Sequence, residues 1–293
     1  MELVYDYPLY RPPSESHSLI FQVTLGCSFN KCSFCNMYRS KEYVERPIEE
    51  IFKEIELMAK YYPLTRRIFL ADGDAMNLDS EKLIEIITKI REDFRNVDRI
   101  SCYSMPKNLL QKSADELRGL KNAGLDMVYL GIESGNDQIL KKVTKGATSE
   151  TIVKSCKKAK DAGFILSCMV ILGLGGRTYT TDHVKDTAEV ISIISPDYVG
   201  ALTLYMEPNI EKEFYEKFGE PFLPLEDNEV LVELYNLIGN INAKNKIIFR
   251  ANHASNVYSI GGTLPDDKEE MLQKLDKLRD HPELFRSKVL RRF

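Results

Sequence analysis

Along most of the first 205 residues, short β-branched and aromatic runs alternate with stretches whose apolar positions recur every three to four residues. That alternation marks β/α units and a parallel sheet. Residues 19–24 read as the first strand. Pro47 opens a helix through about Tyr61, with Ile48, Ile51, Ile55 and Met58 at helical spacing. The strand 67–71 ends in Asp72-Gly73-Asp74, and Ser80 is the expected N-cap of a helix carrying Leu83, Ile86, Ile87 and Ile90. The pattern repeats as strand 100–104, helix 113–123 closed by Gly124, and strand 127–132 leading into Glu133-Ser134-Gly135. Helical stretches 137–143 and 149–162 follow, then strand 165–171 running into Gly173-Leu174-Gly175-Gly176, helix 181–194 and strand 198–204. Beyond residue 210 the alternation weakens around Pro208, Pro221 and Pro224. A helix over 228–241, a strand over 246–250, a polar stretch Arg250–Asn256 and a charged helix over 266–278 complete the chain.

About six β/α units with strands apolar on both faces fit an open doubly wound sheet or a complete or partial barrel, and periodicity does not separate them. In either architecture ligand chemistry belongs at the C-terminal ends of the strands. The polar and Gly-rich clusters named above fall at those ends.

Of 293 residues, 43% are hydrophobic and 29% charged, enough for a packed core and a solvated surface. A net charge of −4 leaves no electrostatic footprint for nucleic acid. The longest apolar runs are too short to span a bilayer, and the Tyr- and Pro-rich start lacks the basic and apolar parts of a secretory signal. The expectation is a soluble, cytoplasmic protein with no membrane or nucleic-acid partner. Six cysteines are too few for a disulfide framework at this length, and three crowd into one short segment.

Cys27-x4-Cys32-x2-Cys35 offers three thiolates just past the first strand. Three thiolates suit an iron–sulfur cluster with one iron left open. A structural zinc site needs a fourth ligand, and His17, the nearest histidine, is not at finger spacing. Zinc in a β/α barrel and a non-radical iron–sulfur redox or sensor protein are the alternatives. Cys102 and Cys168 fall in strands and Cys156 mid-helix, where small core residues are the ordinary reading.

Gly26-Cys27, Cys32 and Phe34-Cys35 at the end of a first strand resemble the radical S-adenosylmethionine (SAM) superfamily, with one residue more in the first gap than the commonest Cys-x3-Cys-x2-Cys spacing. The resemblance covers roughly residues 17–205. It implies a partial (β/α)6 TIM-type barrel over 17–209, preceded by an arm (1–16) and followed by a small, mainly helical extension (210–293) that covers substrate. It further implies a [4Fe–4S] cluster on Cys27, Cys32 and Cys35. SAM would be held by Phe34, by Asp72, Gly73 and Asp74, by Glu133 and Ser134, and by Ile171, Gly173 and Gly175. The reaction implied is reductive SAM cleavage to a 5′-deoxyadenosyl radical that abstracts hydrogen from a substrate, under anaerobic conditions, with flavodoxin or ferredoxin as electron donor. Gly131–Asp137 and Lys142–Gly146 look most like the branch of oxygen-independent coproporphyrinogen oxidase, the tRNA methylthiotransferases and the elongator catalytic subunit. A shared core carries no substrate with it. Tyr103, Tyr205, Glu207 and His253 are candidate catalytic groups, and Arg250, Asn252, His253 and Asn256 candidate substrate contacts, because they offer donors, acceptors and an imidazole at or beyond strand ends. Tyr38 and Arg39, just past the cysteines, either contact SAM or pack the loop.

Overall fold

The structure is a computed structural model that describes residues 5–291; the first four residues of the expected arm and the last two of the extension lie outside the described residues. By contact the chain divides into two compact units, one comprising Met1–Asn30, Met37–Leu130 and Lys154–Leu166, the other Lys31–Asn36, Gly131–Val153 and Ser167–Phe293.

The first unit contains β1 (Leu19–Gln22), a short antiparallel ribbon of β2 (Thr24–Leu25) and β3 (Val44–Glu45), α1 (Ile48–Tyr61), β4 (Arg67–Ala71), α2 (Ser80–Asp93), β5 (Arg99–Ser104), α3 (Pro106–Gln111), α4 (Ala114–Ala123) and the start of β6 (Met127–Glu133). β1, β4, β5 and β6 are successive parallel neighbours, in register from Leu19↔Ile68 through Ile68↔Ile100 to Ser101↔Met127. The helices bury the stripes expected of them: Ile51, Ile55 and Met58 on α1, and Leu83, Ile86, Ile87 and Ile90 on α2. Ser80 is not the cap of α2. Asp79 takes that place, accepting from the Glu81 N–H at 2.9 Å, and Ser80 begins the helix with its hydroxyl donated to Glu116 at 2.8 Å. On α4 the capping box is Ser113 with Glu116, and Gly124 ends the helix at φ +114°.

In the second unit come α5 (Asp137–Lys142), most of β7 (Ile165–Leu172), α7 (Gly176–Ile194), β8 (Tyr198–Thr203), α8 (Pro208–Phe218), α9 (Asp227–Asn240), β9 (Ile247–Ala251), β10 (Ile260–Leu264) and α10 (Lys268–Arg279); α6 (Ser149–Asp161) begins in this unit and ends in the other. β7, β8 and β9 run parallel, and β10 returns antiparallel to β9. The extension carries the expected strand as β9, and with β10 it continues this unit's sheet. α7 starts five residues before the helix expected at 181, with Gly175 as N-cap. Two elements of this unit were not expected, as α3 and β3 were not in the first. α8 is opened by Pro208 and closed by Gly219, and buries Ile210, Phe214 and Phe218. β10 contains Gly261 and Gly262, which masked its strand pattern.

Among the described residues no helix is long and apolar enough to cross a membrane. Cys102, Cys156 and Cys168 are fully buried, and burial pushes the Cys102 thiol up to about 12. These three cysteines are packed core residues.

The arm ends in a fully buried carboxylate. Glu15 accepts from Tyr129 Oη at 2.5 Å, Arg99 at 2.8 Å and Ser101 Oγ at 3.0 Å, and its second oxygen takes the Ser18 hydroxyl. Burial and the Glu15 charge together hold the Tyr129 phenol well above its ordinary range. Removing one partner of such a buried set strands the others. Glu15→Ala should therefore cost about 3 kcal/mol of stability, read as a lower urea midpoint at unchanged slope. Against a Tyr129→Phe background the same change should cost less.

Candidate functional site

The cysteine loop follows β2. Gly26, at φ +70°, turns the chain into it, and its N–H donates to Asp72 Oδ2 at 3.0 Å. Asp72 is fully buried and also accepts from Gln22 at 2.9 Å and Lys41 Nζ at 2.9 Å. The Asp72 carboxylate thus ties the approach to Cys27 onto the end of β4. Gly73 is there because nothing larger fits: a Cβ would lie 2.5 Å from the Tyr38 ring and 3.3 Å from the Cys27 Cβ. Tyr38 is buried and stands edge-on to Tyr10, so it packs the loop. Asp74 takes the hydroxyl of Ser28, which in turn accepts from Lys107 Nζ at 2.6 Å. Burial raises the Asp74 carboxyl to about 6 against the opposing influence of Ser28, Lys107 and Asn108. Tyr103, half-buried, meets Phe69 and Tyr129 edge-on.

In the second unit, Cys32 and Cys35 close a turn, with Cys35 N–H donating to Cys32 O at 3.1 Å. Ser33 fastens that turn to the end of α5 through two hydrogen bonds to the Val143 carbonyl, at 3.0 and 3.2 Å. Asn36 donates to Glu207 at 2.6 Å and accepts from Asn209 at 2.7 Å. Glu207, read from sequence as a candidate catalytic group, thus anchors the far side of the cysteine loop to the start of α8. Tyr205 stands 37% exposed beyond β8.

Glu133 ends β6 at φ +64°, a conformation a β-bearing side chain enters only when its surroundings impose it. The Glu133 carboxylate meets Lys145, whose Nζ lies 2.8 Å away. Burial works against the Lys145 ammonium, but Glu133, Cys32 and Cys35 outweigh it and hold its pKa above the ordinary lysine value. A Cβ on Gly131 would overlap the Glu133 carboxylate. Ser134 Oγ is 2.8 Å from His183 Nδ1. At the end of β7, Ile171 packs with Phe34, Leu204 and Met206 around Ile139, Leu174, Phe214 and Phe218. Gly173 turns at φ +78°, and a Cβ on Gly175 would come within 2.9 Å of Ile139.

The polar stretch after β9 is mostly committed to its own fold. Asn256 is buried, accepting from Thr203 Oγ1 at 2.9 Å and donating to the Ala201 carbonyl at 2.8 Å. Arg250 lies over β10, donating to the Phe249 and Gly262 carbonyls. His253 shares a 2.9 Å hydrogen bond with Ser255, and burial followed by the Arg286 charge lowers its pKa. Asn252 is exposed.

Lys145, His183 and Glu233 escaped the sequence reading. The signal for the last two lay in the helical pattern: each sits on an otherwise apolar stripe, Glu233 among Val230, Leu234 and Leu237, His183 among Val184, Thr187 and Ile191.

Among the described residues no three His, Cys, Asp or Glu side chains gather closely enough to hold one metal ion. A cubane cluster asks for something else, since each thiolate binds a different iron. The donors present fit that group: Cys27, Cys32 and Cys35 are unbridged and half-buried, unlike the three core cysteines. A buried ammonium whose charge Cys32 and Cys35 stabilise suits an anionic cluster.

Known proteins are similar to much of this chain. The heme chaperone HemW of Bacillus subtilis is 24% identical over 213 residues, covering 72% of this chain and 54% of that protein. The ribosomal protein uS12 methylthiotransferase RimO of Clostridium botulinum is 23% identical, covering 73% and 50%. This chain thus spans about half the length of those relatives. Among solved structures, coproporphyrinogen III oxidase (HemN) of Escherichia coli superposes with a TM-score of 0.59 at 19% identity, over 76% of this chain and 51% of that one. Methylornithine synthase (PylB) superposes with a TM-score of 0.54 at 15% identity, over 89% and 81%. Both share the fold. The profile of the radical SAM superfamily matches residues 21–191, more than half of the chain. The chain belongs to the radical SAM superfamily, whose members use a [4Fe–4S] cluster and S-adenosylmethionine.

Proposed function

We propose that this chain reductively cleaves SAM and uses the resulting 5′-deoxyadenosyl radical to take a hydrogen atom from a substrate. The observation that carries the reading is the charge arrangement in the second unit, where buried Lys145 answers Glu133, Cys32 and Cys35 together. Bound at such a site, the cluster and SAM supply one-electron scission of a carbon–sulfur bond, with flavodoxin or ferredoxin as donor.

The protein's own part is binding, orientation and exclusion of water. Cys27, Cys32 and Cys35 hold three irons and leave the fourth open. The backbone of Asp72–Asp74 faces the SAM amino group, with Gly73 stripped of its Cβ to allow approach. Glu133, fixed by Lys145, and Ser134 meet the ribose or carboxylate. Ile171, Gly173 and Gly175 flank adenine, with Phe34 on the apolar side. Residues 210–293 serve as cover for the substrate, and His253 and Asn252 in the loop after β9 are the candidate contacts, with Tyr103 and Tyr205 at other strand ends.

Anaerobic reconstitution with iron and sulfide, reduction with dithionite and addition of SAM should yield 5′-deoxyadenosine by mass spectrometry. The triple Cys27→Ala, Cys32→Ala, Cys35→Ala variant should lose both the cluster absorbance and the product. Product from the triple variant, or none from a wild-type protein with an intact cluster across candidate substrates, would defeat the reading. Lys145→Met keeps the side-chain volume but leaves Glu133 without its cation. It should lower the cleavage rate by about tenfold or more, equivalent to ~1.4 kcal/mol in the barrier, and make the cluster harder to reduce by spectroelectrochemistry.

A further inference from the structure

Two buried titratable side chains stand behind the proposed SAM contacts rather than among them. Glu233, on α9, is 1% exposed. One of its carboxylate oxygens accepts from the Gly173 N–H, the other from the Thr180 hydroxyl. His183, on α7, is as deeply buried; its Nε2 lies 3.0 Å from the Ile171 carbonyl and 3.8 Å from Glu233. A carbonyl can only accept, so the network assigns the proton to Nε2. Ser134 Oγ accepts from the Asn136 N–H at 3.0 Å and is thereby left to donate its own proton to His183 Nδ1.

The consequence is a continuous brace. Ser134 follows β6, Ile171 and Gly173 end β7, and His183 and Glu233 bridge these two strand ends from behind. Gly173 needs the brace most. It lies one residue past β7 at φ +78° and its N–H donates to Glu233; a buried donor left unmade costs more than the made bond contributes. Glu233 supplies the acceptor, and the Gly173 and Thr180 donors offset the cost of burying its charge.

We infer that Glu233 and His183 are positioning residues for SAM: they set the spacing between Ser134 and the Ile171–Gly173 segment, so that α9 of the extension is part of the SAM site's construction. This rests on the SAM-binding reading above. It assigns the extension a task independent of any substrate, since a brace acts before substrate arrives.

The test is SAM affinity, measured by equilibrium dialysis on cluster-reconstituted protein in the absence of substrate. Glu233→Ala should weaken SAM binding by about tenfold or more, raise the KM for SAM and leave kcat at saturating SAM close to wild type. Iron content and cluster absorbance should not change, because neither Glu233 nor His183 hydrogen-bonds a residue of the cysteine loop. Glu233→Gln keeps an acceptor for the Gly173 N–H and should restore most of the affinity. If the alanine variant fails to fold, Glu233→Asp, which withdraws the carboxylate by one methylene, should still bind SAM several-fold more weakly. A lower melting temperature with unchanged SAM affinity in the folded variants would overturn the inference and leave Glu233 a stabilising residue only. Failure of wild-type protein to bind SAM at all would instead strike the functional reading, and this inference with it.

Discussion

Glu133 and Lys145 face each other with about a tenth of each side chain in contact with water, and a charge so placed persists only when its partner is fixed. The pair decides several things at once. It accompanies the left-handed backbone conformation of Glu133 at the end of β6. It requires Gly131 to carry no side chain. It also sets a cation beside Cys32 and Cys35, where the charge is useful to an anionic cluster. Desolvation makes the arrangement costly to assemble and more costly to break, since removal of either partner strands the other.

The same constraint recurs at other strand ends. Asp72 is satisfied by Lys41, Gln22 and Gly26, and Glu233 by Gly173 and Thr180. A parallel strand that stops abruptly leaves backbone donors without ladder partners, and a buried carboxylate aimed at them answers two needs together. The interior of each unit is therefore apolar along the strands and ionic at their ends. This division explains why Cys102 and Cys168, in strands, are inert core, whereas the cysteines beyond β2 remain half-exposed.

Much of this was legible from the chain's own pattern, for a physical reason. α1, α2, α4 and the parallel strands are built from long, strongly periodic stretches, and tertiary packing has only to accept them. The elements that escaped are short or carry contradictory signals. α8 had the right punctuation in Pro208 and Gly219, but Pro208, Pro221 and Pro224 together read as a break in the alternation. β10 was hidden by paired glycines that a strand ordinarily avoids. The cap of α2 moved by one residue because Asp79 and Ser80 are both competent and only the geometry of the turn chooses. At the site, the cysteine triad and the glycine-bearing strand ends could be named from spacing and resemblance. Lys145 and Glu233 could not, because their roles arise from residues far along the chain that meet only after folding. Glu207, beyond β8 and named from sequence as a candidate catalytic group, also accepts from Asn36, a contact between residues far apart in the chain that the sequence pattern does not announce.

Glu15 carries a consequence for the order in which the molecule is made. Its carboxylate is received by Arg99, Ser101 and Tyr129, residues 84, 86 and 114 positions further on. Glu15 is synthesised before those three partners, and of its donors only Ser18 lies close to it in sequence. Until β5 and β6 have been made and paired, the Glu15 carboxyl has no buried set of donors to enter, so water solvates it. The Glu15 segment therefore docks only after β5 and β6 stand side by side, and it ties the two strands together once it does.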